Sequence, residues 1–299
     1  MAHLKEFTEL AARFAADGYV APLAACSADD AGRALARLAP LLDAGGRADP
    51  RLRNNPHLLF TWADALIDLP PVLDAVGALI GPDLLVRDTV LFAKGPHDPT
   101  TVDWHQDGGN WDVEGEQVVT AWIALTDSGA DNAAVRVVPG SHRGPRRPHR
   151  LGRDAAGRLI RSRVEGAVDE RQAVALTLRG GECSLHGPWL LHGSPANPGP
   201  APRIGLAVRY VSPDLRERFP GAAATLVAGR APRRHWALRP RPRHDLDPRT
   251  AAWHRRALRR YATHVTWQLL RAPSADHLRL LAHLARRELA RALRRSAQD

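Results

Sequence analysis

Lysine is almost missing from this 299-residue chain: Lys5 and Lys94 are the two it has, and the rest of its Lys and Arg positions are arginine. Cysteine is as scarce, with Cys26 and Cys183 alone. Two cysteines so far apart suggest neither a disulfide framework nor a thiolate metal cluster, so a reducing, cytoplasmic setting is expected. No run approaches the roughly 20 apolar residues that a membrane-spanning helix needs. Nor does Met1-Ala2-His3-Leu4-Lys5-Glu6 join a basic region to an apolar one, and no secretory signal is expected. No internal repeat is found. The formal charge of +10 would suit nucleic acid or an anionic membrane, but no recognised nucleic-acid motif accompanies it. Arginine and alanine excess with lysine scarcity is what a GC-rich coding sequence produces. Neither nucleic acid nor membrane is therefore an expected partner.

What is present is the make-up of a globular protein with many turns: 44% hydrophobic, 25% charged, 24 Gly and 24 Pro. Helical spacing runs from Leu4 to Ala16, and Ser27 is placed to cap a second helix reaching about Leu42. Two shorter helices are expected over His57 to Leu66 and Pro71 to Ile80, the latter closed by Gly81-Pro82. The texture then changes. Leu84 to Ala93, Val118 to Thr126, Ala134 to Val138, Ala173 to Leu178 and Ile204 to Val211 read as strands separated by Gly, Pro, Asn and Asp. Strands so arranged indicate an antiparallel sandwich or barrel. The expected organisation is one domain over 1–258, helical over 1–82, a β core over 83–212 and a basic extended tail over 213–258. A helical extension over 259–299 follows, with an apolar stripe at Leu278, Leu281, Leu284, Leu289 and Leu293 suited to packing on the domain or on a second copy. Monomer and homodimer both stay open. The Arg-rich span from His142 to Gln172 is expected to be a long loop over a functional region.

The chemistry gathers around Trp104-His105-Gln106-Asp107. On a strand, residues two apart share a side, so His105 and Asp107 can aim an imidazole and a carboxylate at one point. One distant histidine, His192 in Leu191-His192-Gly193-Ser194-Pro195-Ala196-Asn197, completes two His and one carboxylate. That set holds non-haem Fe(II) on one face and leaves positions open. The bland reading is a hydrogen-bonded surface pair. His186 competes with His192, but only His192 precedes Gly-Ser-x-x-Asn; His186 is expected to support the site or the core. Gln106 and Trp104 should face away from the metal. Trp111 could wall a pocket or be plain core, and Lys94 could border the pocket or be a solvated strand end. Trp122 and His142 read as core or turn residues.

Four motifs in order carry a resemblance: Trp104-His105-Gln106-Asp107, Ala121-Trp122-Ile123-Ala124-Leu125-Thr126-Asp127, Val137-Val138-Pro139-Gly140-Ser141-His142, and His192-Gly193-Ser194-Pro195-Ala196-Asn197 with Arg203. Together they resemble the phytanoyl-CoA dioxygenase family of Fe(II)- and 2-oxoglutarate-dependent oxygenases, over roughly Phe7 to Val211. Ser184 to Ser194 and Arg203 to Tyr210 look closest to its branch of halogenases and hydroxylases of natural-product biosynthesis. The resemblance implies a mainly β protein with flanking helices, its core a double-stranded β-helix (jelly roll, cupin-like). It implies Fe(II) on His105, Asp107 and His192, with dioxygen as co-substrate. It implies 2-oxoglutarate with its far carboxylate on Arg203, which is favoured over Arg209 by position, and a hydroxyl hydrogen bond from Ser194. Where that branch chlorinates, the carboxylate ligand is Ala or Gly; with Asp107 present, hydroxylation or a related oxidation is expected rather than halogenation. The substrate is expected to be a small metabolite, free or carried as an acyl or aminoacyl group, and the Arg-rich loop would suit an acidic carrier protein. The competing readings are a non-catalytic β-helix binding module and a metal-dependent hydrolase, which would leave Arg203 and Ser194 without a role.

Overall fold

The computed structural model describes residues 2–153, 159–230 and 234–271. Two compact units divide the chain, Met1–His254 and Arg255–Asp299; the sheets and the site belong to the first. The apolar stripe from Leu278 to Leu293 lies outside the described residues. Among those described, no helix is long and apolar enough to cross a membrane.

Residues 2–82 are mainly helical as expected, interrupted by the strand Tyr19–Ala24. Helix α1 spans Ala2–Asp17. Helix α2 (Ala28–Leu38) starts where the Ser27 hydroxyl accepts the Asp30 N–H at 3.1 Å. Short helices α3 (Pro50–Arg53) and α4 (Thr61–Ala65) follow. Helix α5 (Pro70–Ile80) opens on proline and stops at Gly81, whose φ of +97° an L side chain rarely adopts.

Seven strands form the major sheet. In spatial order they are β1 (Tyr19–Ala24), β10 (Glu182–His186), β5 (Val118–Ala124), β12 (Arg203–Val211), β2 (Leu84–Lys94), β14 (Ala223–Ala228) and β15 (Ala237–Leu238). The minor sheet runs β3 (Val102–His105), β11 (His192–Ser194), β6 (Arg136–Val137) and β9 (Val174–Ala175). Two ribbons complete the β structure: β4 (Val113–Glu114) with β13 (Arg216–Glu217), and β7 (His149–Arg153) with β8 (Leu159–Val164). This is the mainly β, jelly-roll architecture with helical support.

Alternation along the central strands decides where chemistry sits. On β12, Ile204, Leu206, Val208 and Tyr210 join the core under the helices, with Val119, Ala121 and Ile123 of β5 and Cys183 and Leu185 of β10. Burying each large apolar side chain here contributes about 1.5–3 kcal/mol. The Tyr210 hydroxyl donates to Ile67 O at 3.0 Å, tying sheet to helical layer. The opposite face carries Arg203, Ala207 and Arg209 of β12, Thr120 and Trp122 of β5, and Ser184 and His186 of β10. Both faces are covered: the first is apolar, while the second sets an apolar cluster of Trp122, Ala207, Val137 and Leu190 beside the polar side chains of the site.

Three expectations are corrected. The 213–258 span is not one extended tail: β14 pairs with β2 inside the major sheet, β13 pairs with β4, and helix α6 (Pro248–Arg271) already begins at Pro248. The proline and arginine content suggested surface chain, but Ala223 to Ala228 is apolar enough to pair and pack. The Arg-rich span is not structureless, since β7 and β8 pair within it. Finally, the strand carrying His105 ends there, and Asp107 opens a 3₁₀ turn, Asp107–Asn110.

Candidate metal and co-substrate site

His105 and His192 meet because β3 and β11 are antiparallel neighbours in which these two residues stand directly opposite. Their ring centroids are 4.0 Å apart with planes tilted by 48°. Close pairing requires Gly193: a Cβ there would lie 2.8 Å from Val102 O. Asp107 reaches the same point from the first position of its turn, its Oδ1 3.7 Å from His105 Nε2. One donor atom from each of His105, Asp107 and His192 falls within 4.8 Å of the others, a set that could hold a metal ion.

The protein fixes the tautomer of both imidazoles. His105 Nδ1 lies 2.8 Å from Asp103 O, and His192 Nδ1 lies 2.9 Å from Leu190 O. A carbonyl oxygen only accepts, so each Nδ1 carries the proton and each Nε2 offers its lone pair to the shared point. Burial, then the neighbouring His105 and His186, holds the His192 imidazole well below its ordinary pKa, in the neutral form a metal requires. For Asp107, burial alone would raise the pKa. The Arg209 guanidinium, with His105 and His192, reverses that and keeps the carboxyl well below the usual range.

Arg209 is the residue whose place reasoning from sequence missed. Its Nη2 and Nε lie 3.3 and 3.4 Å from the two Asp107 oxygens, while Nη1 lies 2.6 Å from Asp88 Oδ1. Asp88 in turn bonds Arg87, and Arg87 bonds Glu217. Five alternating charges thus link Glu217 to the candidate metal ligand. Trp111 lies between the two cations of this chain, with Arg87 and Arg209 at 5.3 and 5.2 Å from its ring. It is half-buried and packs beside the Leu85–Val211 cluster. The Thr120 hydroxyl adds a 3.3 Å contact to Asp107 Oδ2. A sequence signal for Arg209 existed: it is six residues past Arg203 on one strand, hence on the same face.

A second polar group forms around Ser194. Arg203 is 1% exposed, and it stands opposite Lys94 in the β12–β2 register. Arg203 Nη2 donates to Ser194 Oγ at 2.8 Å and Nε to Ala133 O at 2.9 Å, with the guanidinium 5.0 Å from the Trp122 ring centre. Lys94 Nζ donates to the same Ser194 Oγ at 2.6 Å and to Pro195 O. Lys94 is 4% exposed, so it is no solvated strand end. Gly205 leaves room for Trp122, whose ring would lie 2.3 Å from a Cβ at that position. Among the described residues, no ion pair joins either cation to a carboxylate. Burial with the nearby Arg203 lowers Lys94 to about 7, and burial lowers Arg203 to about 10. Two buried cations converging on one hydroxyl could together accept an anion.

The other residues singled out in the sequence divide. His186 lies against the triad, its ring centroid 4.6 Å from that of His192. Burial, against the pull of Asp107, holds it at about 4. Gln106 is buried and turned away: its Nε2 donates to Trp189 O and its Oε1 accepts the Arg147 N–H, at 2.8 and 2.9 Å. The Gln106 N–H donates to His149 Nε2 at 3.0 Å, so the start of β7 is pinned beside His105 and Asp107. Nothing in the sequence pointed to His149. Trp104 is half-buried against the cluster of Val138, Val164 and Leu191, its indole N–H donating to Glu170 Oε1 at 3.1 Å and its ring facing the Arg136 guanidinium. His142 is in the Ser141–Arg143 turn.

A model of the phytanoyl-CoA dioxygenase (PhyH) family matches residues 14–205. A probable alpha-ketoglutarate-dependent hypophosphite dioxygenase of Stutzerimonas stutzeri is 28% identical over 162 residues, 54% of this chain and 56% of that protein. The peroxisomal phytanoyl-CoA dioxygenase of Homo sapiens is 26% identical over 153 residues, 49% and 45% of the two chains. The chain spans about half the length of these curated relatives. Among solved structures, the apo form of the non-haem monooxygenase ThoJ superposes with a TM-score of 0.78 at 31% identity, covering 88% of this chain and 100% of that one. The nickel complex of ThoJ gives 0.72 at 30% identity, with 86% and 99% covered.

Proposed function

The chain belongs to the phytanoyl-CoA dioxygenase family, a family of Fe(II)/2-oxoglutarate-dependent oxygenases, and on that premise we propose that it hydroxylates an unactivated C–H bond of a small metabolite, free or carrier-bound. The observation that supports this most is the pairing of two preformed groups in one sandwich: a His-Asp-His set with fixed tautomers, and two buried cations that make no carboxylate pair among the described residues. The donor chemistry fits Fe(II), which takes imidazole and carboxylate together. When bound, iron and 2-oxoglutarate supply the activation of dioxygen, with succinate and carbon dioxide released as the substrate is oxidised.

The residues divide the remaining work. His105 and His192 present Nε2 and hold their own protons on backbone carbonyls. Asp107 supplies one negative charge, kept ionised by Arg209 and oriented by Thr120. Retention of this carboxylate favours hydroxylation over halide transfer. Arg203 and Lys94 take the far carboxylate of the co-substrate, and the Ser194 hydroxyl, which accepts from both, keeps the two cations aimed together. Burial keeps water from competing, which strengthens these bonds. Trp111 and the β7–β8 ribbon wall the approach for substrate. Arg143 and Arg146, exposed at the base of that ribbon, would meet an acidic carrier if the substrate arrives tethered.

The test is succinate release by the iron-loaded protein across a panel of free and carrier-tethered small acids, with product mass read in parallel. Substrate-dependent succinate with a gain of one oxygen supports the reading. Background succinate for every compound, or release without oxidation, refutes it. Neutralising Arg143 and Arg146 should lower turnover of tethered substrate only; equal kinetics on both forms would remove the carrier from the account.

A further inference from the structure

We propose that His186 donates a hydrogen bond to the metal-side carboxylate of the bound keto acid. The inference rests on the reading just given and concerns a side chain to which that reading assigns no task. His186 ends β10 and faces inward, opposite Thr120 of β5. It is 3% exposed, yet neither of its ring nitrogens has a hydrogen-bond partner among the described residues. Leaving a buried polar atom unmatched costs about 1–3 kcal/mol. An apolar ring of similar shape would avoid that cost if packing were the only purpose. Its position relative to the ligands is specific: Nε2 lies 4.0 Å from Asp107 Oδ2, too far for a hydrogen bond, and the ring is tilted beside that of His192.

His105 and His192 each commit Nδ1 to a backbone carbonyl and so become lone-pair donors. His186 makes no such bond, so a neutral ring keeps an N–H to give. Ser184, two residues earlier on the same face, is fully buried with an unpartnered hydroxyl as well. The inner wall of β10 therefore carries polar capacity that no described residue takes up. A keto acid that chelates the metal brings a carboxylate into this space, and an imidazole N–H is the donor such an oxygen takes. His186 is then a positioning residue for the co-substrate.

The experiment uses the anaerobic Fe(II) protein and calorimetric titration with 2-oxoglutarate and with oxalate, which carries the metal-side carboxylate but is too short to mimic the far one. The visible charge-transfer band of the keto-acid complex is read alongside. His186→Phe should weaken both ligands about tenfold and shift the band, with Fe(II) affinity within about twofold of wild type. His186→Gln keeps an N–H and should restore most of the affinity. His186→Leu carries the same expectation as Phe if the larger ring does not fold. Unchanged affinities in the Phe or Leu variant would overturn the inference, as would equal losses in Phe and Gln accompanied by lost iron. A wild-type protein that binds iron but no keto acid would overturn the functional reading together with this one. Binding in wild type with no effect of the substitution overturns this one alone.

Discussion

Replacing Lys94 by methionine should make the protein more stable and a poorer binder, because the same burial that weakens the ammonium prepares it for an anion. The drop from 10.5 to about 7 corresponds, at about 1.36 kcal/mol per pH unit, to roughly 4–5 kcal/mol by which the folded state disfavours the charged form. Methionine removes that penalty and also the bonds from Nζ to Ser194 Oγ and Pro195 O, each worth about 0.5–1.5 kcal/mol. The net expectation is a gain of roughly 1–3 kcal/mol near pH 7, or several degrees in Tm for a domain of this size. The sign with pH is fixed. The folded pKa lies below the unfolded one, so the destabilisation is full below about 7 and fades as pH rises from about 7 towards 10.5. Wild type should therefore gain on the variant with rising pH. Binding behaves oppositely. A carboxylate held by charged Lys94 requires proton uptake above about pH 7, so 2-oxoglutarate affinity in wild type should fall, by up to about tenfold per pH unit. The variant should lose this dependence and bind roughly 10–100-fold more weakly at pH 7. Urea unfolding of the 2-oxoglutarate-free protein and anaerobic titration at pH 6.5 to 8.5 measure both. A Lys94→Met protein that is less stable, or that binds the co-substrate as tightly as wild type, would refute the reasoning.

Other expectations follow from the ion chain and the close contacts. Arg209→Met leaves Asp107 and Asp88 buried without their shared cation, so stability should fall by about 3–5 kcal/mol and metal affinity by about 10–100-fold; a metal titration unchanged from wild type would contradict the role given to Arg209. Gly193→Ala sets a methyl 2.8 Å from Val102 O, which should push β11 from β3 and weaken metal binding more than it lowers Tm; retained affinity would show that the imidazoles meet by some other constraint. Gln106→Leu removes its bonds to Arg147 and Trp189, and limited proteolysis between 143 and 153 should accelerate while iron binding holds.

The sheet, its helical support and the order of motifs were legible because burial imposes a two-residue alternation on β5 and β12 and Gly–Pro turns mark their ends. The Ala134 to Val138 and Ala173 to Leu178 segments were visible as apolar runs, but only two residues of each pair, since register depends on a partner strand that sequence does not reveal. The approach of His105 to His192 was inferred from residue type, whereas its cause is a cross-strand register 87 residues apart in the chain. Strand alternation gave the convergence of Asp107 with His105 for the wrong local reason: a turn rich in glycine, not a continuing strand, swings the carboxylate in. Residue type and strand face do not separate Arg203 from Arg209, because both point from β12 to the same side; only the folded partners, Ser194 for one and Asp107 for the other, tell them apart. Lys94 stood out as one of two lysines, yet its burial depends on β12 lying beside β2, a pairing that composition does not encode.

The most direct measurement is an anaerobic crystal structure of the protein with Fe(II) and 2-oxoglutarate. One iron should be held by His105 Nε2, an Asp107 oxygen and His192 Nε2, with the far carboxylate of the diacid between Arg203 and Lys94. Iron bound without one of those three side chains, or a diacid whose far end lies away from both cations, would contradict that placement.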